Sequence, residues 1–227
     1  KTASTKIYAA KGRPSDNPLI VHITNMGALD KIADIIPEVA YKVADAYWPG
    51  PLTMIFQKTK EVPYETTGGL DTVAVRMPSD EIARALIDAG GGYIAAPSAN
   101  TSGRPSPTKA EHVEEDLSGK IEMILDGGAV DIGVESTILD MTVTPPMILR
   151  PGAITKEMLT ELIGEVAIDR TLITPDSKVK PKAPGMKYRH YAPKADLSIV
   201  EGPMELVIDA INQMSAERMA KGHRVGV

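Results

Sequence analysis

Cysteine is absent from the 227 residues, which excludes disulfides, thiolate metal sites and a cysteine nucleophile. Aromatic side chains are scarce, with one Trp, one Phe and seven Tyr, so a core built from this chain is aliphatic. No apolar run approaches the roughly 20 residues that span a bilayer. No signal sequence opens the chain, and a cytoplasmic location with no membrane partner is expected. Positive charge is not in excess, since 25 Lys and Arg stand against 30 Asp and Glu. The net charge of −5 argues against indiscriminate coating of nucleic acid but leaves room for a local basic pocket. The sequence holds neither the phosphate loop G-x-x-x-x-G-K-[ST] nor a G-x-S-x-G nucleophile elbow.

What is present is a 43% hydrophobic chain, enough for one large domain or one and a half. Residues 2–10 read as a helix stopped by Gly12, and 19–23 as a strand. Helical spacing runs through 28–47, with Pro37 starting a second helix. Strands are expected at 52–57 and, from period-two alternation, at 72–77. Ser79 is placed as the cap of a helix over 80–89. Residues 93–96 read as a buried strand, 109–117 as a helix, 121–126 as a strand closed by Gly127-Gly128. A strand pair at 136–141 and 147–150 follows, then a helix over 156–163 capped by Thr155. The order mixes helices and strands without a regular βαβ beat. It predicts an α/β fold with a twisted mixed sheet flanked by helices over residues 1–170. Residues 171–194 read as a Pro- and Lys-rich linker. A strand at 197–200, a helix over 203–221 and a strand at 224–227 read as the start of a second, Rossmann-like domain over 195–227. The chain opens at Lys1 in a helical pattern and closes at Val227 in a strand pattern, so a fragment trimmed at both ends is expected.

Polar groups gather at the ends of these strands. Residues 96–108, Ala-Pro-Ser-Ala-Asn-Thr-Ser-Gly-Arg-Pro-Ser-Pro-Thr, are too polar for a core and too rich in Pro and Gly for a helix. They offer hydroxyls, an amide and a guanidinium where α/β proteins commonly hold ligands. Lys11-Gly12-Arg13 sets two cations two residues apart, a pairing suited to polyphosphate. Taken alone, such a pair is usually solvent decoration. His22 lies in an apolar strand, where a His is more often a satisfied core residue than a functional one. Arg76 ends a strand and suits a carboxylate. Val134-Glu135-Ser136-Thr137 and Leu149-Arg150-Pro151-Gly152 add two more polar strand ends. In the linker, Tyr188, Arg189 and His190 combine a ring for stacking with groups for phosphate. The array suits a small anionic ligand with polar edges.

These segments, together with Trp48-Pro49-Gly50-Pro51-Leu52-Thr53 and Val75-Arg76-Met77-Pro78, resemble the YrdC-like threonylcarbamoyl-AMP synthases. The linker run Pro184-Gly185-Met186-Lys187-Tyr188-Arg189-His190-Tyr191 resembles that of the longer two-domain form. The resemblance implies a nucleotidyltransferase that joins L-threonine, bicarbonate and ATP, with Mg²⁺, to threonylcarbamoyl-AMP and pyrophosphate. The product would serve threonylcarbamoyladenosine formation in tRNA, through tRNA itself or a downstream threonylcarbamoyl transferase. It implies Lys11 and Arg13 as catalytic residues. It implies ATP contacts at Arg13, Asn17, Thr72, Asn100, Thr108 and Arg150, with Tyr188, Arg189 and His190 closing over the nucleotide. Threonine would meet His22, Arg76, Ser98 and Ser136, with Arg76 on its carboxylate. No protein-built metal site is implied. The family's Thr-x-Thr-x-Tyr-Gly-Leu segment has no counterpart in these 227 residues.

Two other readings stay open at this level. One is a non-catalytic module that binds double-stranded RNA or the ribosome through a basic concave face. The other is a carbamoyl-transfer domain of a larger maturation enzyme, which the linker and the Rossmann-like start argue against.

Overall fold

The structure is a computed structural model that describes residues 2–169 and 195–227. The chain divides into two compact units, Lys1–Ala192 and Pro193–Val227.

In the first unit, α1 (Thr2–Lys11) ends where Gly12 turns the chain at φ 60°. β1 (Ile20–His22) leads to α2 (Met26–Ile32), whose N-terminus is capped by the Asn25 side chain accepting from the Ala28 N–H at 3.0 Å. Next come β2 (Ala33–Ile35), α3 (Glu38–Tyr47), β3 (Leu52–Lys58) and the short α4 (Tyr64–Thr67). β4 (Thr72–Arg76), α5 (Glu81–Ala89), β5 (Ile94–Ala96) and α6 (Ala110–Leu117) follow. The unit closes with β6 (Thr137–Asp140), β7 (Met147–Arg150), α7 (Lys156–Ile163) and β8 (Ala167–Ile168).

Among the described residues the strands form one mixed sheet in the order β5-β1-β4-β3-β6-β7-β8, with β2 joined to the far end of β3 at Gln57 and Lys58. β1 runs parallel to β4, and β3 parallel to β6, while β3 and β4 are antiparallel. Registers carry one row across the sheet. His22 pairs with Arg76, Arg76 with Thr53, Thr53 with Ile138, and Ile138 with Arg150. Paired residues point to the same face.

That alternation gives the two faces different cores. The larger face buries Ile23, Leu52, Met54, Phe56, Val75 and Leu139 with residues of α2, α3 and α7. The other holds a small cluster of Ile20, Ile55, Ala74, Ile138 and Leu149. The polar ends of the register row lie beside this small cluster, so a sheet face only partly committed to packing is left for chemistry.

Several sequence expectations are corrected. The expected helical stretch 28–47 is interrupted by β2, which finds a partner in β3. The cap of α5 is Asp80, whose side chain accepts from the Ala83 N–H at 2.7 Å, rather than Ser79. Both residue types cap well, and the helix begins one residue later than expected. β5 is half-buried rather than buried, because it pairs with β1 alone among the described strands. Residues 121–126 form no strand, and Met123 and Leu125 are exposed. A short apolar run without a neighbouring strand has nothing to pack on, and β-propensity is largely that packing. In the second unit, α8 (Met204–Ala220) forms as expected, but residues 197–200 and 224–227 form no strands. Leu197 and Ile199 are exposed. A lone strand gains too little to persist, so the βαβ start expected over 195–227 is not seen among the described residues. The linker at 171–194 lies outside them. No helix among the described residues is long and apolar enough to cross a membrane.

Gly152 locks the end of β7 against β6. A Cβ there would meet the Glu135 carbonyl oxygen and the Thr137 backbone nitrogen, the latter at 2.5 Å, as well as Thr137 Oγ1 at 2.8 Å, which also donates to the Ile154 carbonyl at 2.7 Å. Gly152→Ala is expected to lower the unfolding free energy by about 2–3 kcal/mol, the usual scale for overpacking against backbone. Urea titration checks it, and an unchanged midpoint would show that β6 can shift to admit the methyl.

Candidate functional site

The site is a cavity of about 640 Å³ at the end of the sheet where β1 and β4 finish and β3 and β6 begin. Its lining includes five cationic side chains, Lys11, Arg13, Arg76, Arg104 and Arg150, against the three carboxylates of Asp80, Asp131 and Glu135. The local surplus of positive charge contrasts with the net charge of −5 of the whole chain.

The turn Trp48-Pro49-Gly50-Pro51 builds one wall. Trp48 Nε1 donates to the Leu52 carbonyl at 2.8 Å, and Gly50 N to the Met77 carbonyl at 2.8 Å. This fixes the Gly50 carbonyl, which accepts from Arg76 Nε at 3.0 Å. Arg76 is thereby held by one edge of its guanidinium. Burial lowers its pKa, and repulsion from Arg150 lowers it further. Arg150 Nε donates to the Ser136 carbonyl at 3.0 Å and its Nη2 to Ser136 Oγ at 2.9 Å. Ser136 Oγ also bonds Thr53 Oγ1 at 2.8 Å. The row thus becomes a relay of polar contacts from β3 to β7.

His22 sits beside Arg76 in the row. Desolvation, then the Arg76 charge, push its pKa down to about 4, against the raising effect of backbone hydrogen bonds with Ile94 and Ile20. At neutral pH it is an uncharged imidazole.

On the opposite wall Lys11 is almost fully buried. Its Nζ donates to the Ser98 carbonyl at 2.5 Å, to the Asn100 carbonyl, and to Asn100 Oδ1 at 3.5 Å. Burial, then repulsion from Arg13, lower its pKa to about 8, while Asp116 pulls it upward. Arg13 is oriented by its own loop, through Nε to the Asn17 carbonyl at 3.3 Å and Nη2 to the Pro18 carbonyl at 2.9 Å. Thr108 is fixed by its N–H donating to His112 Nδ1 at 3.2 Å.

Of the residues expected to form the site, Lys11, Arg13, His22, Arg76, Ser98 and Asn100 line this one cavity, as do Thr108, Ser136 and Arg150. Asn17 lies behind Arg13. It is buried, and neither its side-chain nitrogen nor its oxygen has a hydrogen-bond partner. Thr72 is not brought to the cavity. It begins β4, whose other end carries Arg76, and pairs with Gln57 far along β3. Tyr188, Arg189 and His190 lie outside the described residues.

Sequence reasoning missed Thr53 and the bond from Ser106 Oγ to Glu135 Oε1 at 2.7 Å, while Arg104 is the guanidinium expected from the 96–108 loop. It also missed the wall formed by residues 127–134. Thr53 had one available signal, a polar residue inside an apolar strand run.

A basic ligand site at the strand ends of a mixed α/β sheet is the class that these observations define. The comparisons agree. A family model described as "Telomere recombination", that of the Sua5, YciO and YrdC proteins, matches residues 1–152. A second, described as "Threonylcarbamoyl-AMP synthase, C-terminal domain", matches residues 154–227. The chain belongs to the Sua5/YciO/YrdC family. A threonylcarbamoyl-AMP synthase of Pyrococcus abyssi is 52% identical over 227 residues, covering 100% of this chain and 66% of that protein. One of Bacillus subtilis is 50% identical over 226 residues, covering 99% and 64%. The crystal structure of P. abyssi Sua5 complexed with L-threonine matches with a TM-score of 0.94 and 51% identity, over 100% of this chain and 66% of that one. The chain therefore spans slightly less than two thirds of the length of these relatives.

His22 gives the site a pH signature in stability. Its folded-state pKa of about 4 lies below the ordinary 6.5, so the unfolded chain takes up the proton first as pH falls. Stability from the neutral imidazole is complete above about pH 6.5 and is lost toward pH 4, up to about 3 kcal/mol. Urea unfolding at both ends of this window should show His22→Gln with a shallower loss than the parent. Equal slopes would show that His22 is not protected from protonation.

Proposed function

We propose that this chain carries the ligand site of an L-threonylcarbamoyladenylate synthase, which joins L-threonine, bicarbonate and ATP and releases pyrophosphate. One observation carries the reading. Arg76 and Arg150 repel each other on one face of the sheet, with Lys11 and Arg13 opening into the same cavity. Such a surplus of partly desolvated cations is matched by a ligand with several negative charges. A triphosphate and an amino-acid carboxylate together supply them. The bound L-threonine of the similar P. abyssi structure supports the amino-acid half.

In this reading Arg76 holds the threonine carboxylate, with His22, Ser98 and Ser136 around the rest of the amino acid. His22, neutral at pH 7, accepts or donates a hydrogen bond without adding charge. Bicarbonate carbon forms a bond to the threonine amine nitrogen, and water leaves, giving a carbamate. A carbamate oxygen then bonds to the α-phosphorus as the bond to the β-phosphate bridging oxygen breaks, and pyrophosphate departs with that electron pair. Negative charge grows on phosphate oxygens, so the protein's task is to position the reactants and stabilise charge. Lys11, Arg13 and Arg150 suit that task, Asn100 and Thr108 suit the nucleotide's polar edges, and Asn17 supports Arg13 from behind. Thr72 takes no part in this account.

Mg²⁺ is proposed only as the companion of ATP. Among the described residues no three His, Asp or Glu side chains gather to hold a metal ion. The residues do not fit a protein-built Mg²⁺ centre, and no step is assigned to one. Transfer of the product toward tRNA, directly or through a threonylcarbamoyl transferase, belongs to the same proposal, as does a cytoplasmic setting.

Calorimetry with ATP, with and without threonine, tests the site directly. Each ligand is expected to tighten the binding of the other, and both together to raise the melting temperature. Arg13→Ala should reduce threonine- and bicarbonate-dependent pyrophosphate release roughly a hundredfold, the scale of one lost charge-stabilising group. Full turnover in that variant would remove Arg13 from the site. Binding of duplex RNA with a steep loss in salt, and none of ATP, would favour the non-catalytic module instead.

A further inference from the structure

We infer that Asp116 is a positioning residue of this site: from the last turn of α6 its carboxylate anchors the loop carrying Ser98 and Asn100 and supplies the negative charge that balances Lys11. The inference rests on the proposed roles of Lys11 and Asn100.

Asp116 is buried although it lies on a short polar helix. Its Oδ2 accepts from the Thr101 N–H at 2.9 Å, and its Oδ1 pairs with Arg104 Nη1. Its backbone carbonyl accepts from Thr101 Oγ1 at 3.2 Å and from Lys120 Nζ at 3.1 Å. Arg104 spreads its other arm to Glu115 Oε1 at 3.1 Å. Two residues of the loop, Thr101 and Arg104, are thus fastened to one carboxylate.

Those two residues fix Asn100. Asn100 Nδ2 donates to the Thr101 and Arg104 carbonyls, each at 2.9 Å. With its nitrogen committed, Asn100 turns Oδ1 toward Ser98 Oγ at 2.5 Å and Lys11 Nζ at 3.5 Å. The Ser102 N–H closes the circuit onto the Lys11 carbonyl at 2.9 Å. A chain of contacts therefore runs from Asp116 through Thr101 and Arg104 to Asn100, and from there to Lys11.

Charge runs along the same line. The partners touching the Lys11 ammonium are neutral oxygens of Ser98 and Asn100. The charges that act on it are Arg13, which repels, and Asp116, which attracts. Arg104, paired with Asp116, offsets part of that attraction. A loop needing only shape could be tied by a neutral side chain. A buried carboxylate also keeps the enclosed amine protonated near neutral pH, where a phosphate ligand needs it.

The test follows Lys11 by heteronuclear NMR against pH in the ligand-free protein, with Lys11→Arg assigning the resonance. This readout reports on Asp116 whether or not the proposed reaction occurs. Pyrophosphate release is then measured from about pH 6 to about pH 9. Asp116→Asn keeps an acceptor for Thr101 but loses the charge. It should move the Lys11 titration to lower pH, carry the alkaline limb of kcat/KM with it, and lower kcat/KM for ATP roughly ten- to a hundredfold through loop misplacement. Arg104→Gln, at a half-exposed side chain, frees the carboxylate and should move the titration the opposite way. If Asp116→Asn does not fold, Arg104→Gln decides alone. A Lys11 titration that coincides with the parent in every folded variant overturns the inference and leaves Asp116 a purely structural anchor. Absence of turnover in the parent with these shifts intact would instead sink the proposed reaction and keep Asp116 as the control on Lys11.

Discussion

The site depends on one register. Because β1 lies parallel to β4, β4 antiparallel to β3, and β3 parallel to β6, a single row places His22, Arg76, Thr53 and Arg150 on one face of the sheet. Slipping any of these strands by one residue would send its polar member into the larger aliphatic core and an aliphatic residue into the cavity. The core thus enforces the chemistry. Met54, Val75 and Leu139, next to the row in sequence, are fully buried on the other side, and their burial holds the row in place.

Cations crowd together in the cavity. Arg76 and Arg150 are each braced by a neutral carbonyl, of Gly50 and Ser136 respectively. Lys11 is held the same way, by carbonyls of the Ser98–Asn100 loop. Backbone oxygens orient a cation without cancelling it. The arrangement keeps the cavity's positive charge available while fixing its geometry, which suits ligands such as phosphates and carboxylates. His22 fits the same scheme, since protonating it would add another positive charge beside Arg76.

Much of this was legible in the sequence, for identifiable reasons. Strong alternation in residues 72–77 and the apolar run at 52–57 marked β4 and β3, because both faces of those strands meet partners. The polar strand ends at Arg76, Ser136 and Arg150 stood out against that pattern. What failed depended on partners that local sequence does not name. Residues 121–126 have the apolar run of a strand but no edge to join among the described strands, and β2 forms from an unremarkable Ala-Asp-Ile because β3 offers one. Thr72 was drawn in by resemblance, and only the antiparallel register reveals that it sits at the wrong end of its strand. Asp116 gave no signal at all. On a polar helix one more acidic residue is unexceptional until the loop folds back over it.

The bond between Thr53 Oγ1 and Ser136 Oγ joins residues 83 apart in the chain. Parallel pairing of β3 with β6 spans the same gap and cannot be made by a tight turn. A ribosome must therefore deliver most of the domain before the two ends of the cavity can meet. Until then the cationic strand ends are open to solvent and to stray polyanions. Closure entropy for so long a loop favours slow, high-contact-order assembly.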